Sequence, residues 1–319
     1  MGGRLDVRVA VDDEAYRSEA ERQVVRVGHR VDGWASRLTR FAESSDLSRL
    51  NRDGSGCSEV RPTLAAVLSW AWTAGERSQR VVDVTLLDAR LAAERGIAPV
   101  ASAGSAVEPA VDRRFAPAPW KIERSGRTSR VTRAPGTRFD IDGVAKGWIA
   151  DRALALLCRW PGALVDADGD IAISVAPGAD WHVAVENPQD PDGPPLAVLR
   201  IAAPGPWHQT VGVATSGTTV HRWGTATGGS TRGAAGAVAH HLIDPRTGRS
   251  ALTDVVQATV AAPSAAEAEV LAKSAVILGS ADGAQLLERT ACLFGLLVLE
   301  SGQTILLPAA GGPAKRAAA

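Results

Sequence analysis

With 319 residues, 45% of them apolar, the chain is long enough to bury one large core or two smaller ones. Its 35 basic and 35 acidic residues cancel and are interspersed, which removes the electrostatic basis for holding nucleic acid or an anionic membrane surface. No window reaches the ~18 consecutive apolar residues of a membrane-spanning helix. The three cysteines, Cys57, Cys158 and Cys292, are scattered in apolar or helical surroundings and read as buried thiols rather than as a disulfide or metal set.

In chain order, Leu5, Val7, Val9 and Val11 alternate as a strand, and 14–34 reads as a helix with Val24, Val27 and Val31 among its apolar positions. Residues 37–51 form a loop that holds a short helix, SDLSRLN, capped by Ser45 and ordered by Asn51. A helix over 62–76 is rich in Ala, Leu and Trp, and the stretch 81–87 brings Asp83 and Thr85. Residues 97–119, rich in Ala, Pro and Ser, read as a surface connection. Phe139 and Ile141 then share a face of a short strand, and Ala145, Trp148, Ile149, Ala153 and Leu156 recur at helical spacing. Stretches 163–174 and 181–185 look like paired strands and 196–201 like another, with a hairpin loop over 186–195. The Gly/Thr/Ala-rich run 224–236 fits a flexible surface loop better than a phosphate cradle. A strand over 255–261 precedes a helix over 265–278 whose buried stripe is Ala268, Leu271, Ala272, Ala275 and Val276. A hairpin through Ser301-Gly302 joins 293–300 to 304–307, and the last dozen residues read as a disordered tail. Hairpins interspersed with helices predict an α+β fold rather than a doubly wound parallel sheet.

One stretch stands apart. DIDGVAKGW, 140–148, joins the 139–141 strand to the following helix through a carboxylate-rich turn. A helix start gathers unpaired N–H groups and partial positive charge, which suits a pyrophosphate, and Gly143 lets a ligand or metal approach the main chain. Lys146 lies in the first turn. Only four lysines occur among the 35 basic residues, so a compact ammonium here looks chosen. Taken alone, the pattern also fits a plain β-to-α connection.

Six segments occur in order: SDLSRLN (45–51), DIDGVAKGW with Asp151 following, GALVDADGDIAIS (162–174), ATSGTT (214–219), HHLIDPRTG (240–248) and AEAEVLAKSAVILG (266–279). Their order and spacing resemble the ApbE family of FAD:protein FMN transferases over about 1–308, with the glycine-lysine turn and HxIDPxTG the most specific elements. The resemblance implies one catalytic unit over 1–308, with a division into two subdomains near the 97–119 connection left open, ahead of a tail at 309–319. It also implies mixed, mainly antiparallel sheets with packed helices and a flavin site in a cleft between them. FAD would be the substrate and Mg2+ the cofactor. The FMN moiety would pass to a Thr or Ser hydroxyl of an acceptor flavoprotein carrying a DxxSGAT-like motif, with AMP leaving, and a homodimer is left open. Two other outcomes stay open: an FAD pyrophosphatase giving FMN and AMP, or a flavin-binding relative without transfer activity. Many relatives are exported lipoproteins. Here MGGRLDVRVAVDDEAY has no basic n-region, apolar h-region or lipobox cysteine, so the expectation is a cytoplasmic protein.

Position by position, the resemblance assigns Asp140, Lys146, Asp83, Thr85, Ser216, Gly217, Leu242 and Asp244 to FAD. His241 falls to proton transfer, with His240 a bystander. Gly143, through its carbonyl, Glu269, Ala272 and Lys273 fall at metal positions, although Lys273 cannot itself ligate. Several residues depart from the family pattern: Val84 for Pro, Asp142 for Gly or Ser, Asp166 and Asp168-Gly169 for Asn and a double Gly, Glu269 for Asp, and Lys273 for Thr. Close backbone packing at the 168–169 turn is thereby in doubt. Asp142 fits either a metal ligand or a solvated turn carboxylate. Lys273 either supplies part of the metal's charge or forms an i, i+4 surface bridge with Glu269.

Overall fold

The computed structural model describes residues 3–96, 118–126, 128–224 and 238–307. The connection read over 97–119 and the loop over 224–236 fall almost wholly outside these residues, and the 309–319 tail falls entirely outside them. Strand β1 (Leu5–Ala10) leads through a 3-10 turn (Glu14–Tyr16) into α1 (Arg17–Leu38), α2 (Asp46–Arg52), β2 (Cys57–Val60), α3 (Pro62–Arg77) and α4 (Leu87–Glu94). There follow β3 (Trp120–Ser125), β4 (Thr128–Arg133), α5 (Ala145–Ala155), β5 (Gly162–Ala167), β6 (Asp170–Val175), β7 (Asp180–Val185) and β8 (Ala197–Ala202). Next come β9 (Gln209–Gly217), β10 (Arg222–Gly224), β11 (Val238–His240), β12 (Ile243–Asp244), β13 (Arg249–Ser250) and β14 (Val255–Ala262). The chain ends with α6 (Ala265–Leu278), α7 (Ser280–Glu288), β15 (Phe294–Leu299) and β16 (Thr304–Leu307).

Among the described residues the main sheet has the order β1-β5-β6-β9-β14-β15-β16, every neighbour antiparallel. Successive side chains point to opposite faces of a strand, so each strand feeds two cores. Ile173, Val175, Val211 and Val213 pack under the separate β7-β8 ribbon, against Val183, Val185, Leu199 and Ile201. On the other face Ala163, Val165 and Ala172 meet the helices around α5, and Ala214, Ala258 and Val260 meet α6. This is the expected α+β architecture. No helix among the described residues is long and apolar enough to cross a membrane.

Two helices position the site. Glycines bring them together: a Cβ at Gly147 on α5 would stand 2.5 Å from the Ala265 carbonyl, and one at Gly212 on β9 would run into the Ser264–Ala265 peptide. The start of α6 is tied down twice. Ser264 caps it by accepting from the Glu267 N–H at 3.2 Å, and the Asp151 carboxylate on α5 accepts from Ala265 and Ala266 at 2.9 and 3.0 Å. Asp151, which follows the 140–148 motif in sequence, thus joins the two helices.

Several expectations change. No strand forms over 139–141, because its backbone groups go elsewhere: the Asn51 side chain exchanges two hydrogen bonds with Phe139, at 2.7 and 2.8 Å, and the Asp140 N–H donates to the Val84 carbonyl. Phe139 is instead pinned edge-on against Trp120, which meets Trp72 of α3 in the same way. The stretch 163–174 is itself a hairpin, turning at Asp168-Gly169 with both residues at positive φ, so 181–185 pairs with β8 instead. Gly169 has open space around it, and close packing there is not required. Residues 214–217 of the ATSGTT segment form the end of β9, a central strand. Leu156, just past α5, is exposed, and α5 is buried on most sides rather than amphipathic. Cys57 and Cys158 are exposed; Cys292 alone fits the buried-thiol reading.

Candidate active site

The 140–143 turn, α5, the start of β6 and α6 meet in a cluster of charges. Lys146, one residue into α5, pairs with Asp170 at 3.1 Å and donates to the Asp168 carbonyl at 3.2 Å. Burial disfavours its ammonium, but Asp170, Glu269 and Asp142 outweigh that and raise its pKa above the ordinary lysine value. Glu269 is almost wholly buried on α6. Its Oε2 accepts from the Gly147 N–H at 3.0 Å, so the anion at the start of α5 is a carboxylate of the chain, while Oε1 is buried without a partner. Burial and then Asp170 push the Glu269 pKa well above the carboxylate range, against the pull of Lys273 and Lys146.

The turn carries its own tension. Asp140 Oδ1 accepts from the Asp142 N–H at 3.0 Å, which sets the two carboxylates side by side. Burial and then Asp142 push Asp140 up, whereas for Asp142 burial is overcome by Lys273, Arg90, Lys146 and His241, which hold it low. Asp142 is thus a part-exposed turn carboxylate that is engaged by Arg90 at 3.4 Å rather than left to solvent alone. Arg90 on α4 lies 3.6 Å from Asp140, 3.4 Å from Asp142 and 3.0 Å from Glu94, and is itself buried. The Val84 carbonyl that receives Asp140 lies between Asp83 and Thr85, whose hydroxyl and N–H both donate to Asp83 Oδ1, at 2.7 and 2.8 Å. These two sequence-assigned residues thus flank the carbonyl that meets the turn.

In HHLIDPRTG the two histidines diverge. His240 Nδ1 accepts from the Leu242 N–H at 3.3 Å, and Nε2 lies 3.0 Å from the Ala251 carbonyl, a donor in that tautomer, so this imidazole is a buried strut. His241 stacks edge-on with His221 at 5.4 Å between ring centres, and its Nδ1 is buried with no partner. Burial, then Lys273, Arg90 and His221, depress its pKa to about 3, leaving a neutral ring. Asp244 turns the other way. Both its oxygens lie 2.9 Å from Arg246 Nε, and Arg246 continues to the Ile277 carbonyl near the end of α6. Leu242 is buried in the core, its N–H given to His240 and its carbonyl to Ala251. Leu242 and Asp244 build the hairpin rather than line the charged cluster.

Ser216 and Gly217 follow Ala214, which pairs with Asp170, so β9 runs on from the cluster; a Cβ at Gly217 would lie 2.9 Å from the Val256 carbonyl. Asp170 and Arg90 were missed in the sequence. Asp170 had one signal, the Asp-Gly hairpin turn directly before it; Arg90 had none, being one arginine of a short helix.

The four metal positions do not fit a divalent cation. Ala272 is wholly buried in the core, and Glu269 spends one oxygen on Gly147. At Gly143 the neighbour is an ammonium: a Cβ on that glycine would collide with Lys273 Nζ and stand 3.0 Å from its Cε. Nor is Glu269-Lys273 a surface bridge, since Glu269 is buried and its carboxylate accepts from the Gly147 N–H. Among the described residues no group of three or more His, Cys, Asp or Glu side chains is disposed to hold a metal.

Solved structures share this fold. A Thermotoga maritima ApbE protein superimposes with a TM-score of 0.70 at 20% identity, covering 96% of this chain and 94% of that one. A Pseudomonas stutzeri flavinyl transferase ApbE gives 0.69 at 21%, covering 97% and 92%. Among curated relatives, a Treponema pallidum (strain Nichols) FAD:protein FMN transferase is 28% identical over 156 residues, 45% of this chain and 39% of that protein. A Salmonella typhimurium (strain LT2) protein of the same name is 27% identical over 187 residues, 57% and 48% respectively. The chain thus spans about two fifths to a half of the curated relatives it matches. The model of the ApbE family matches residues 1–294, which carry the 140–148 turn, the charged cluster and the histidine hairpin, and the chain belongs to that family.

Proposed function

We propose that residues 1–308 act as one unit that moves the FMN moiety of FAD onto a Thr or Ser hydroxyl of an acceptor flavoprotein, in a DxxSGAT-like motif, and releases AMP. The observation that carries this reading is the convergence of Lys146, Lys273 and Arg90 on the 140–143 turn beside a neutral His241 whose buried nitrogen has no partner. Three cations suit a pyrophosphate, which holds its charge on non-bridging oxygens. A neutral imidazole suits a hydroxyl proton. In the proposed step the acceptor oxygen attacks the riboflavin-side phosphorus while its proton passes to His241. The bond from that phosphorus to the bridging oxygen breaks, and the oxygen leaves with AMP. As the phosphates settle beside His241, their charge raises its basicity from that low value.

The test incubates the purified protein with FAD and an acceptor domain bearing such a motif, and reads intact mass and AMP. A gain of one FMN on the acceptor with equivalent AMP is the expected result. FMN and AMP released without acceptor modification would replace transfer by pyrophosphate hydrolysis, and FAD bound without AMP would leave a binding protein.

A further inference from the structure

The seat beside Gly143 is filled by the protein itself. Lys273 stands one turn beyond Glu269 on α6, and Glu269 is locked to Gly147 at the start of α5, so the packing of the two helices carries the lysine to the turn. Its ammonium lies so close to Gly143 that a Cβ there would collide with Nζ unless the lysine swung away. Asp142 and Asp170 attract it electrostatically, which lets an ammonium rest in this half-buried place without substrate. A divalent ion brought to the Gly143 carbonyl would meet a like charge on the same residue's flank, and the side chain at 273 cannot ligate it.

We infer that Lys273 is a built-in replacement for the divalent cation, and that this protein binds the FAD pyrophosphate and transfers FMN without a metal ion at Gly143. The inference rests on the proposed substrate, FAD, but its first readout is independent of transfer. Mn2+ titrated into the whole protein and followed by electron paramagnetic resonance should keep its free aquo signal. FAD affinity, read by quenching of flavin fluorescence, should agree within about twofold in EDTA and in Mg2+. Lys273→Gln should weaken FAD binding by about tenfold in either buffer, and Lys273→Arg should recover most of it. Stoichiometric Mn2+ uptake by the wild-type protein would overturn the inference. So would a tenfold tightening of FAD by Mg2+, or a Lys273→Gln protein that folds and binds FAD as before. Should Lys273→Gln fail to fold, the wild-type Mn2+ and EDTA measurements and Lys273→Arg decide alone. If these hold but no FMN reaches an acceptor in any buffer, the transfer reading falls and the lysine's role in binding stands. If the wild-type protein binds no FAD at all, both fall.

Discussion

The turn at 140–147 and the hairpin at 240–250 carry the two most specific motifs, yet they treat their polar groups in opposite ways. In the hairpin, interactions close on themselves. His240 is engaged at both ring nitrogens, the Ser250 hydroxyl bridges the His240 N–H and carbonyl, and Asp244 is neutralised by Arg246. Around the turn they stay open. Asp140 and Asp142 sit side by side, Glu269 keeps a buried oxygen without a partner, and Lys273 rests against a glycine. Native proteins satisfy buried polar groups almost everywhere, so a concentration of unanswered ones marks a candidate functional site. His241 belongs with the turn in this respect, although the sequence puts it in the hairpin. The comparison separates residues that hold a motif's shape from residues that await a ligand.

The largest expected effect breaks the open group at its base. His241→Gln removes the only proton acceptor assigned there, and transfer should fall by about 10²–10⁴-fold, with FAD affinity changed far less. Single-turnover kinetics alongside FAD titration checks it; a fall below tenfold would remove His241 from the proton path. Next is Lys146→Met, which leaves Asp170, only 2% exposed, without its counter-charge. Removing one partner of a buried pair costs about 3 kcal/mol or more, which urea unfolding at pH 7 should show. A second change, Asp170→Asn, should return part of that loss by taking away the stranded charge.

What the sequence made legible follows the same division. Helix α6 lies where its apolar stripe placed it, over 265–278, and the Ser45 cap of α2 and the hairpin of β15 and β16 also stand as read. These are local: period, cap and turn residues act within a few positions. Strand β9 was hidden because its central place needs Gly212 and small neighbours so that α6 can approach, and small residues resemble a turn. The strand expected at 139–141 failed because Asn51, 88 positions away, takes the backbone bonds of Phe139. In the site, Lys146, Glu269 and Lys273 were visible as family positions. Arg90 was not, since its value comes only from the packing that brings α4 to the turn.

The smaller effects sharpen the boundary between the two groups. Asp244→Ala should cost about 2 kcal/mol in urea unfolding by removing charge-assisted bonds to Arg246, while the transfer rate of the folded protein falls less than about tenfold. A loss of FAD binding out of proportion to stability would move Asp244 into the open group.

The pH dependence of stability tests His241 from the folding side. Its pKa of about 3 in the folded protein lies below the ordinary value of 6.5, so between these limits the unfolded chain binds a proton that the folded chain refuses. Acidification through that window therefore favours unfolding: the contribution is complete above about 6.5 and is lost progressively towards 3. For one such group the slope of unfolding free energy against pH reaches at most about 1.4 kcal/mol per unit. His241→Gln should lower the slope measured between pH 7 and 5 by up to that amount. His240→Gln changes the slope too, because burial also lowers that ring's pKa, but it additionally breaks two hydrogen bonds and lowers stability at pH 7.5. The informative quantity is thus the ratio of slope change to loss at pH 7.5, high for a residue that awaits a ligand and low for one that holds the hairpin together.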